Sequence, residues 1–195
     1  SDFESTLIHL SAYIVIEWCP SPSNFRMQYS LDEFLKREQI PGIYGLDTRA
    51  LTKKIRKTGV MKGLLTSKVP SSSTLSDLKK WSIQDAVPNV TTSSSYTVPS
   101  GLPKYHVVLW DFGAKQNILR KLHSLDCELT VVPAGTSAEE ILDLNPDGIM
   151  LSNGPGDPKE NPEIIAELSK LCHAQIPIFG ICLGHQLMAL ANGAN

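Results

Sequence analysis

Residues 176–191 read IPIFGICLGHQLMALA and predict a strand, a tight turn and a helix in direct succession. The apolar run Ile176–Ile181 is short enough for a buried core strand. From Gly184 onward, apolar residues recur at helical spacing. Cys182 therefore lies where the strand ends and the helix begins. Gly180 and Gly184, two residues to either side, leave room for a sharp turn.

A cysteine at such a turn can have one of two roles. A thiol at the N-terminus of a helix faces unpaired backbone N–H groups and the positive end of the helix dipole, which favour a thiolate nucleophile. In a nucleophile elbow, the N–H of the next residue, here Leu183, also helps to hold an oxyanion. Most free cysteines are instead small buried hydrophobic residues. For Cys182, the flanking glycines between a strand and a helix favour the nucleophile.

Composition excludes several classes of protein. The chain has 195 residues, a formal net charge of −2 and 42% hydrophobic residues, which is typical of a globular protein with one or two domains. Its near-neutral charge argues against a protein that binds nucleic acid or a membrane surface. The one basic run, Lys53–Lys57, lies on a predicted helix and is expected to form a solvated face or a protein contact.

The cysteine spacing points to free thiols. No CxxC pair occurs, so we expect neither a metal site nor a disulfide framework. There is no apolar run of membrane-spanning length and no recognisable signal peptide, so a reducing cytoplasmic setting is expected. The four cysteines are Cys19, Cys127, Cys172 and Cys182.

The first half, residues 1–90, is predicted to be a mixed α/β domain. Ser30 and Glu33 fit a capping box that opens a helix over Leu31–Arg37. A second helix is expected over Thr48–Lys57, with Leu51 and Ile55 on its buried side. The remaining predicted elements are strands over Tyr13–Trp18 and Met61–Ser67 and a helix over Leu75–Trp81. Residues 91–103, rich in Ser, Thr, Pro and Gly, are predicted to be a linker between domains.

The second half, residues 104–195, alternates strands with helices and predicts a doubly wound parallel sheet with helices on both faces. Thr136 and Glu139 are expected to cap one helix, and Pro162 to open another. Ligands in such sheets bind at the carboxyl ends of the strands. The predicted strands are His106–Trp110, Leu129–Val132, Gly148–Leu151 and Ile176–Ile181.

A second candidate feature, the loop SNGPGDP at residues 152–158, leaves the third strand at the edge that carries Cys182. Its backbone N–H groups could bind a carbonyl oxygen or an oxyanion. An ordinary tight turn uses the same residue types. The glycine spacing does not fit a dinucleotide or phosphate loop, so no nucleotide site is predicted. Asp111, at the same edge, is expected to cap and orient its own loop.

These motifs carry a family resemblance. GICLGHQ around Cys182, together with SNGPGDP, resembles the class I (triad) glutamine amidotransferases. IYGLDTRALTKKIRKTG, DFGAKQNILRKL and LSNGPGDP resemble the small, glutamine-hydrolysing subunits of carbamoyl-phosphate synthase, and the resemblance covers nearly the whole chain. It implies a partial N-terminal α/β domain followed by a glutamine amidotransferase domain that is truncated at its C-terminus.

The resemblance implies a mechanism. Cys182 would attack the side-chain amide of L-glutamine, forming a glutamyl thioester and releasing ammonia. The N–H groups of Leu183 and Gly154 would hold the oxyanion. Gly156 and Gln186 would help to bind the glutamine.

The resemblance also implies a partner. Ammonia would pass to a large subunit that uses ATP, its metal ions and bicarbonate to make carbamoyl phosphate for arginine and pyrimidine synthesis. No cofactor or metal is expected in this chain.

One departure from the family affects the expected activity. The family's nucleophile is served by a His and a Glu well C-terminal of the elbow, whereas this chain stops at Asn195, thirteen residues after Cys182. His185 belongs to the GHQ pattern and is not that base. We therefore expect an internal fragment with little or no activity of its own. Two alternatives stay open: another triad glutaminase, such as one serving anthranilate or GMP synthesis, and a non-catalytic α/β interaction module.

Overall fold

A computed structural model describes residues 4–5, 8–59, 61–83 and 85–194 of the chain. The chain divides into two compact units, Ser1–Ser82 and Ile83–Asn195.

The first unit contains three helices and a two-stranded parallel sheet among its described residues. The predicted capping box is confirmed: Ser30 Oγ accepts the Glu33 N–H at 3.2 Å, and the Glu33 carboxylate accepts the Ser30 N–H at 2.8 Å. The elements are β1 (Tyr13–Ile14), α1 (Leu31–Arg37), β2 (Gly42–Ile43), α2 (Thr48–Thr58) and α3 (Ser72–Lys80).

Three predictions for this unit are wrong. β1 is two residues long and does not extend to Trp18, because β2 offers only two residues to pair with it. Residues 61–67 form no strand. The supposed buried side of α2 is not buried: Ile55 is 39% exposed, and no residue of this helix is buried. Helical periodicity shows which side chains share a face, but not whether anything covers that face.

The second unit is built on a five-stranded sheet in the order β3-β5-β4-β6-β7. Four strands are parallel, and β3 joins β5 antiparallel at one edge. Trp110 pairs with Leu151, and Leu151 with Gly180, so the carboxyl ends of β4, β6 and β7 lie side by side. The strands are β3 (Tyr96–Val98), β4 (Tyr105–Asp111), β5 (Cys127–Pro133), β6 (Gly148–Leu151) and β7 (Ile178–Gly180).

Helices cover both faces of this sheet, which confirms the predicted doubly wound α/β architecture. One core joins Trp110 and Leu151 to α5, α6 and α7, and the opposite core joins Leu109 and Leu129 to α4. Alternate strand residues therefore point into different cores, as a sheet buried on both faces requires. The helices are α4 (Gln116–His123), α5 (Ala138–Asp143), α6 (Pro162–Cys172) and α7 (Leu183–Ala191), with a 3-10 turn at Pro158–Glu160.

The segment predicted as a linker, residues 91–103, supplies β3 to the sheet, and the chain divides earlier, between Ser82 and Ile83. The segment is rich in Ser, Thr, Pro and Gly as a whole, but Tyr96–Val98 within it consists of residues that favour strands. The capping box of α5 also differs from the prediction, because its pair is Ser137 and Glu140. The sequence Thr-Ser-Ala-Glu-Glu fits the capping pattern in two registers, and the structure uses the later one.

Candidate active site

Cys182 occupies the turn between β7 and α7, as the sequence predicts. Its backbone has φ 51° and ψ −111°, a strained conformation for a residue with a side chain. Its side chain is exposed. The helix begins at Leu183, one residue earlier than predicted. A strained, exposed thiol at a strand-to-helix turn has the geometry of a nucleophile elbow.

The flanking glycines are required by close backbone contacts. A Cβ at Gly180 would lie 2.7 Å from the backbone nitrogen of His185. A Cβ at Gly184 would lie 2.6 Å from both the Cβ and the carbonyl oxygen of Leu151. The first turn of α7 is therefore pressed against β6 and β7, which fixes the position of Cys182.

Ser152, which the sequence predicted only as part of a loop, links the ends of β4 and β6 with the first turn of α7. Its carbonyl oxygen accepts the Gly184 N–H at 3.1 Å, and its own N–H donates to Trp110 O at 3.1 Å. Its hydroxyl accepts the Phe112 N–H at 2.8 Å and donates to Asn153 O at 2.7 Å. The side chain is fully buried with both hydrogen-bonding functions satisfied. Only its position directly after a buried strand could have signalled this role.

The loop after β6 brings Gly154 next to Leu183. A Cβ at Gly154 would lie 2.6 Å from Leu183 Cδ2 and would also meet the carbonyl oxygen and side chain of Phe112. The two residues implied as oxyanion donors therefore share one corner at the carboxyl edge of the sheet.

The two residues implied in glutamine binding lie in different surroundings. Gln186 is exposed one helical turn after Cys182, and its N–H donates to Cys182 O at 3.0 Å. Gly156, with φ 86°, is exposed, and a Cβ there would meet Ala86 Cβ at 3.0 Å. That side of Gly156 therefore packs on the segment before β3 rather than on the elbow.

Asp111 orients the loop after β4, which confirms its predicted structural role. The nearly buried carboxylate accepts three backbone N–H groups: Thr92 at 2.7 Å, Gly113 at 2.9 Å and Ala114 at 2.7 Å. Asn153 joins the same loop to the loop after β6. It accepts the Lys115 N–H at 3.0 Å and donates to Gly113 O at 2.9 Å.

A cavity of about 710 Å³ lies away from this corner, between the turn after β5 and the start of α6. Its wall carries four carboxylates and none of the candidate site residues. They belong to Asp85, Glu160, Glu163 and Glu167. In the described ranges, no three His, Cys, Asp or Glu side chains come together as a metal site. Nor does any helix there have the length and apolar character needed to cross a membrane.

Comparison with known proteins matches both halves of the chain to families. Residues 108–195 match the family described as glutamine amidotransferase class-I. Residues 1–65 match the family described as carbamoyl-phosphate synthase small chain, CPSase domain.

Curated relatives are similar over essentially the whole chain. A carbamoyl phosphate synthase small chain from Bacillus cereus (strain ZK / E33L) is 51% identical over 195 residues, which are 100% of this chain and 53% of the relative. One from Streptococcus agalactiae serotype III is 49% identical, with 99% of this chain and 54% of the relative covered. A solved structure from Thermoplasma acidophilum, named as part of a GMP synthase, is 30% identical, with TM-score 0.41 and 46% of each chain covered.

The cysteine elbow, the adjoining glycine loop and the matched residues 108–195 define a class-I glutamine amidotransferase domain. The match to the first half extends this assignment to the whole sequence. The chain belongs to the carbamoyl-phosphate synthase small-chain family, and it spans about half the length of the curated relatives that it matches.

Proposed function

We propose that this chain is part of the glutamine-hydrolysing subunit of a carbamoyl-phosphate synthase, with Cys182 as the nucleophile. The observation that carries this proposal is the strained, exposed thiol at residue 182, beside a corner where Gly154 packs on Leu183. The first-half family match favours carbamoyl-phosphate synthase over the anthranilate and GMP systems.

In the proposed reaction, the Cys182 thiolate attacks the side-chain amide carbon of glutamine. The carbonyl π electrons move onto oxygen, and the resulting oxyanion accepts hydrogen bonds from the N–H groups of Leu183 and Gly154. When the tetrahedral intermediate collapses, the C–N bond breaks and the protonated nitrogen leaves as ammonia. Water then attacks the thioester, giving glutamate and restoring the thiol.

Proton transfer in this scheme needs a general base that takes the thiol proton and delivers a proton to the leaving nitrogen. The family resemblance assigns this task to a His–Glu pair outside residues 1–195. Residues 1–195 alone are then expected to hydrolyse glutamine several orders of magnitude more slowly than the full subunit, as in other enzymes that lack a triad member.

Binding of glutamine and transfer of ammonia complete the proposal. In this proposal Gln186, exposed one turn after Cys182, contacts the bound amino acid through its side-chain amide, and Gly156 contributes exposed backbone from the neighbouring loop. Ammonia passes to a large subunit that uses ATP and bicarbonate, in the cytoplasm, to make carbamoyl phosphate for arginine and pyrimidine synthesis.

The test uses the full-length small subunit in complex with its large subunit, comparing wild type with Cys182→Ser. We expect the variant to lose glutamine-dependent carbamoyl phosphate synthesis and to keep synthesis from added ammonia. If wild type uses ammonia but never glutamine, the site does not hydrolyse glutamine. If glutamine hydrolysis feeds a different synthase reaction, another triad amidotransferase is the correct assignment.

A further inference from the structure

We propose that Ser152 is a positioning residue, supported by Asn153, that fixes the peptide between Asn153 and Gly154 so that the Gly154 N–H faces the oxyanion. This inference rests on the proposed glutaminase function. It assigns a role to Ser152 and Asn153, which are neither the proposed nucleophile nor implied glutamine contacts.

The first step concerns the peptide itself. The Ser152 hydroxyl donates to Asn153 O at 2.7 Å, and that oxygen belongs to the same peptide group as the Gly154 N–H. Because a trans peptide is planar, its C=O and N–H point in opposite directions. Holding the Asn153 carbonyl against the buried hydroxyl therefore sets the direction of the Gly154 N–H.

The second step concerns what holds the hydroxyl. Ser152 Oγ accepts the Phe112 N–H at 2.8 Å, so its own hydrogen is left for Asn153 O. The Ser152 carbonyl accepts the Gly184 N–H from the first turn of α7 at 3.1 Å. One residue therefore connects the candidate oxyanion peptide with the helix that begins directly after Cys182.

The third step is the anchor on the other side of the peptide. The Asn153 side chain accepts the Lys115 N–H at 3.0 Å and donates to Gly113 O at 2.9 Å, both in the loop after β4. An amide can make both bonds, whereas an ionised carboxylate can only accept. An aspartate would keep the shape but would place a carboxylate oxygen against the Gly113 carbonyl. The peptide that carries the Gly154 N–H is thus held from both of its sides.

The test is steady-state glutaminase kinetics of Ser152→Ala in the full-length small subunit in complex with its large subunit. Loss of the hydroxyl frees the Asn153 carbonyl, so the Gly154 N–H loses its fixed direction. Loss of an oxyanion donor costs about 100- to 1,000-fold in kcat. Because Ser152→Ala misdirects the donor without removing it, we expect kcat for glutamine hydrolysis to fall by about 10- to 100-fold while KM changes less than about twofold. Synthesis from added ammonia should be unchanged, which reports a folded and assembled protein.

A matched control removes another hydroxyl that donates to a backbone carbonyl. Ser124 Oγ donates to Lys121 O at 2.7 Å beyond the end of α4, away from the candidate site. Ser124→Ala should leave kcat and KM unchanged. Alkylation of Cys182 by iodoacetamide should proceed at the wild-type rate in Ser152→Ala, because that substitution reaction forms no oxyanion.

Ser152 is fully buried, so its replacement could prevent folding. A second variant therefore tests the same peptide at a different residue. Asn153→Asp changes a half-buried side chain and should also lower kcat at nearly constant KM. Asn145→Asp is its control, since the exposed Asn145 amide likewise donates to a backbone carbonyl, Asp143 O, at 3.0 Å.

The outcomes separate the two proposals. If wild type does not hydrolyse glutamine, the proposed function fails. If wild type is active and the folded variants keep kcat within about twofold, the positioning role fails, because a misdirected oxyanion donor must slow the chemical step. A rise in KM at constant kcat would also overturn it, because it would indicate a role in substrate binding.

Discussion

The N–H of Gly184 donates a 3.1 Å hydrogen bond to the carbonyl oxygen of Ser152, so the turn that carries Cys182 is bonded to the loop that carries Gly154. Gly154 and Cys182 are 28 residues apart in sequence, and their segments meet because β6 and β7 are neighbouring parallel strands. The site corner is therefore a product of the sheet register, and substitutions that shift either segment should disturb both.

Replacing Gly184 sets two effects against each other. Alanine is favoured over glycine in a helix by up to about 1 kcal/mol. Its Cβ would, however, lie 2.6 Å from the buried Leu151 backbone, and overpacking of this kind costs about 1–3 kcal/mol. We expect Gly184→Ala to lower the free energy of unfolding, measured by chemical denaturation. An increase in stability would show that α7 can move away from β6.

Gly154→Ala should likewise destabilise the second unit, by about 1–3 kcal/mol, because the new methyl group would overlap Leu183 and the Phe112 backbone. Gly135→Ala is the matched control, since a Cβ there has no atom within 4 Å. Chemical denaturation should show a clear loss for the first variant and little change for the second. Equal stabilities would mean that the loop after β6 relaxes freely.

Asp111→Asn tests the bonds that orient the loop after β4. The carboxylate accepts three N–H groups through its two oxygens. An asparagine amide has only one acceptor oxygen, so its NH₂ group would face at least one of these N–H donors and leave it unpaired. We expect a loss of about 1–3 kcal/mol in unfolding free energy, the cost of an unsatisfied buried donor. The exposed Asp143→Asn serves as control and should change stability little. Similar effects for both would show that Asp111 makes no net contribution.

The four cysteines should differ in reactivity towards iodoacetamide. Cys19 and Cys182 are exposed, whereas Cys127 is buried. Burial, assisted by the nearby Asp126 carboxylate, raises the pKa of the Cys127 thiol and so lowers its thiolate fraction. We expect peptide mass spectrometry to find the two exposed cysteines modified first. A glutamine-like electrophile should then select Cys182 over Cys19, and equal labelling of the two would favour an interaction module.

Glu140 should contribute to the pH dependence of stability. Its hydrogen bond from the Ser137 N–H, aided by the Ser137 hydroxyl, lowers its pKa below the ordinary 4.5. The contribution is therefore present above that ordinary value and is lost as the pH falls through the lower, folded-state pKa. In thermal denaturation, Glu140→Gln should melt below wild type near neutral pH, and the difference should shrink on acidification. A stability difference of the same size at acidic and at neutral pH would contradict this contribution.

The sequence predicts best those elements whose ends are marked by capping residues, proline or glycine. The capping box marks the start of α1 and Pro162 marks the start of α6, and both helices begin where the sequence predicts. The elbow at Cys182 was predictable because its two glycines and its change of periodicity are local. The class of fold followed from the alternation of strands and helices.

What the sequence could not show depends on partners far along the chain. β3 is three residues long and exists because β5, about 30 residues later, offers an edge to pair with. Ser152 looks like any loop serine until the sheet register places Phe112 and Gly184 around it. The exposure of Ile55 likewise depends on what covers α2, which periodicity does not encode.

The role of Cys182 as nucleophile is tested most directly by acid quenching of the full-length small subunit, in complex with its large subunit, during turnover of isotopically labelled glutamine, followed by peptide mass spectrometry. We predict a labelled glutamyl thioester on Cys182 and none on Cys19, Cys127 or Cys172. A Cys182→Ser variant that still hydrolyses glutamine at the wild-type rate, or a glutamyl adduct on another residue, would contradict it.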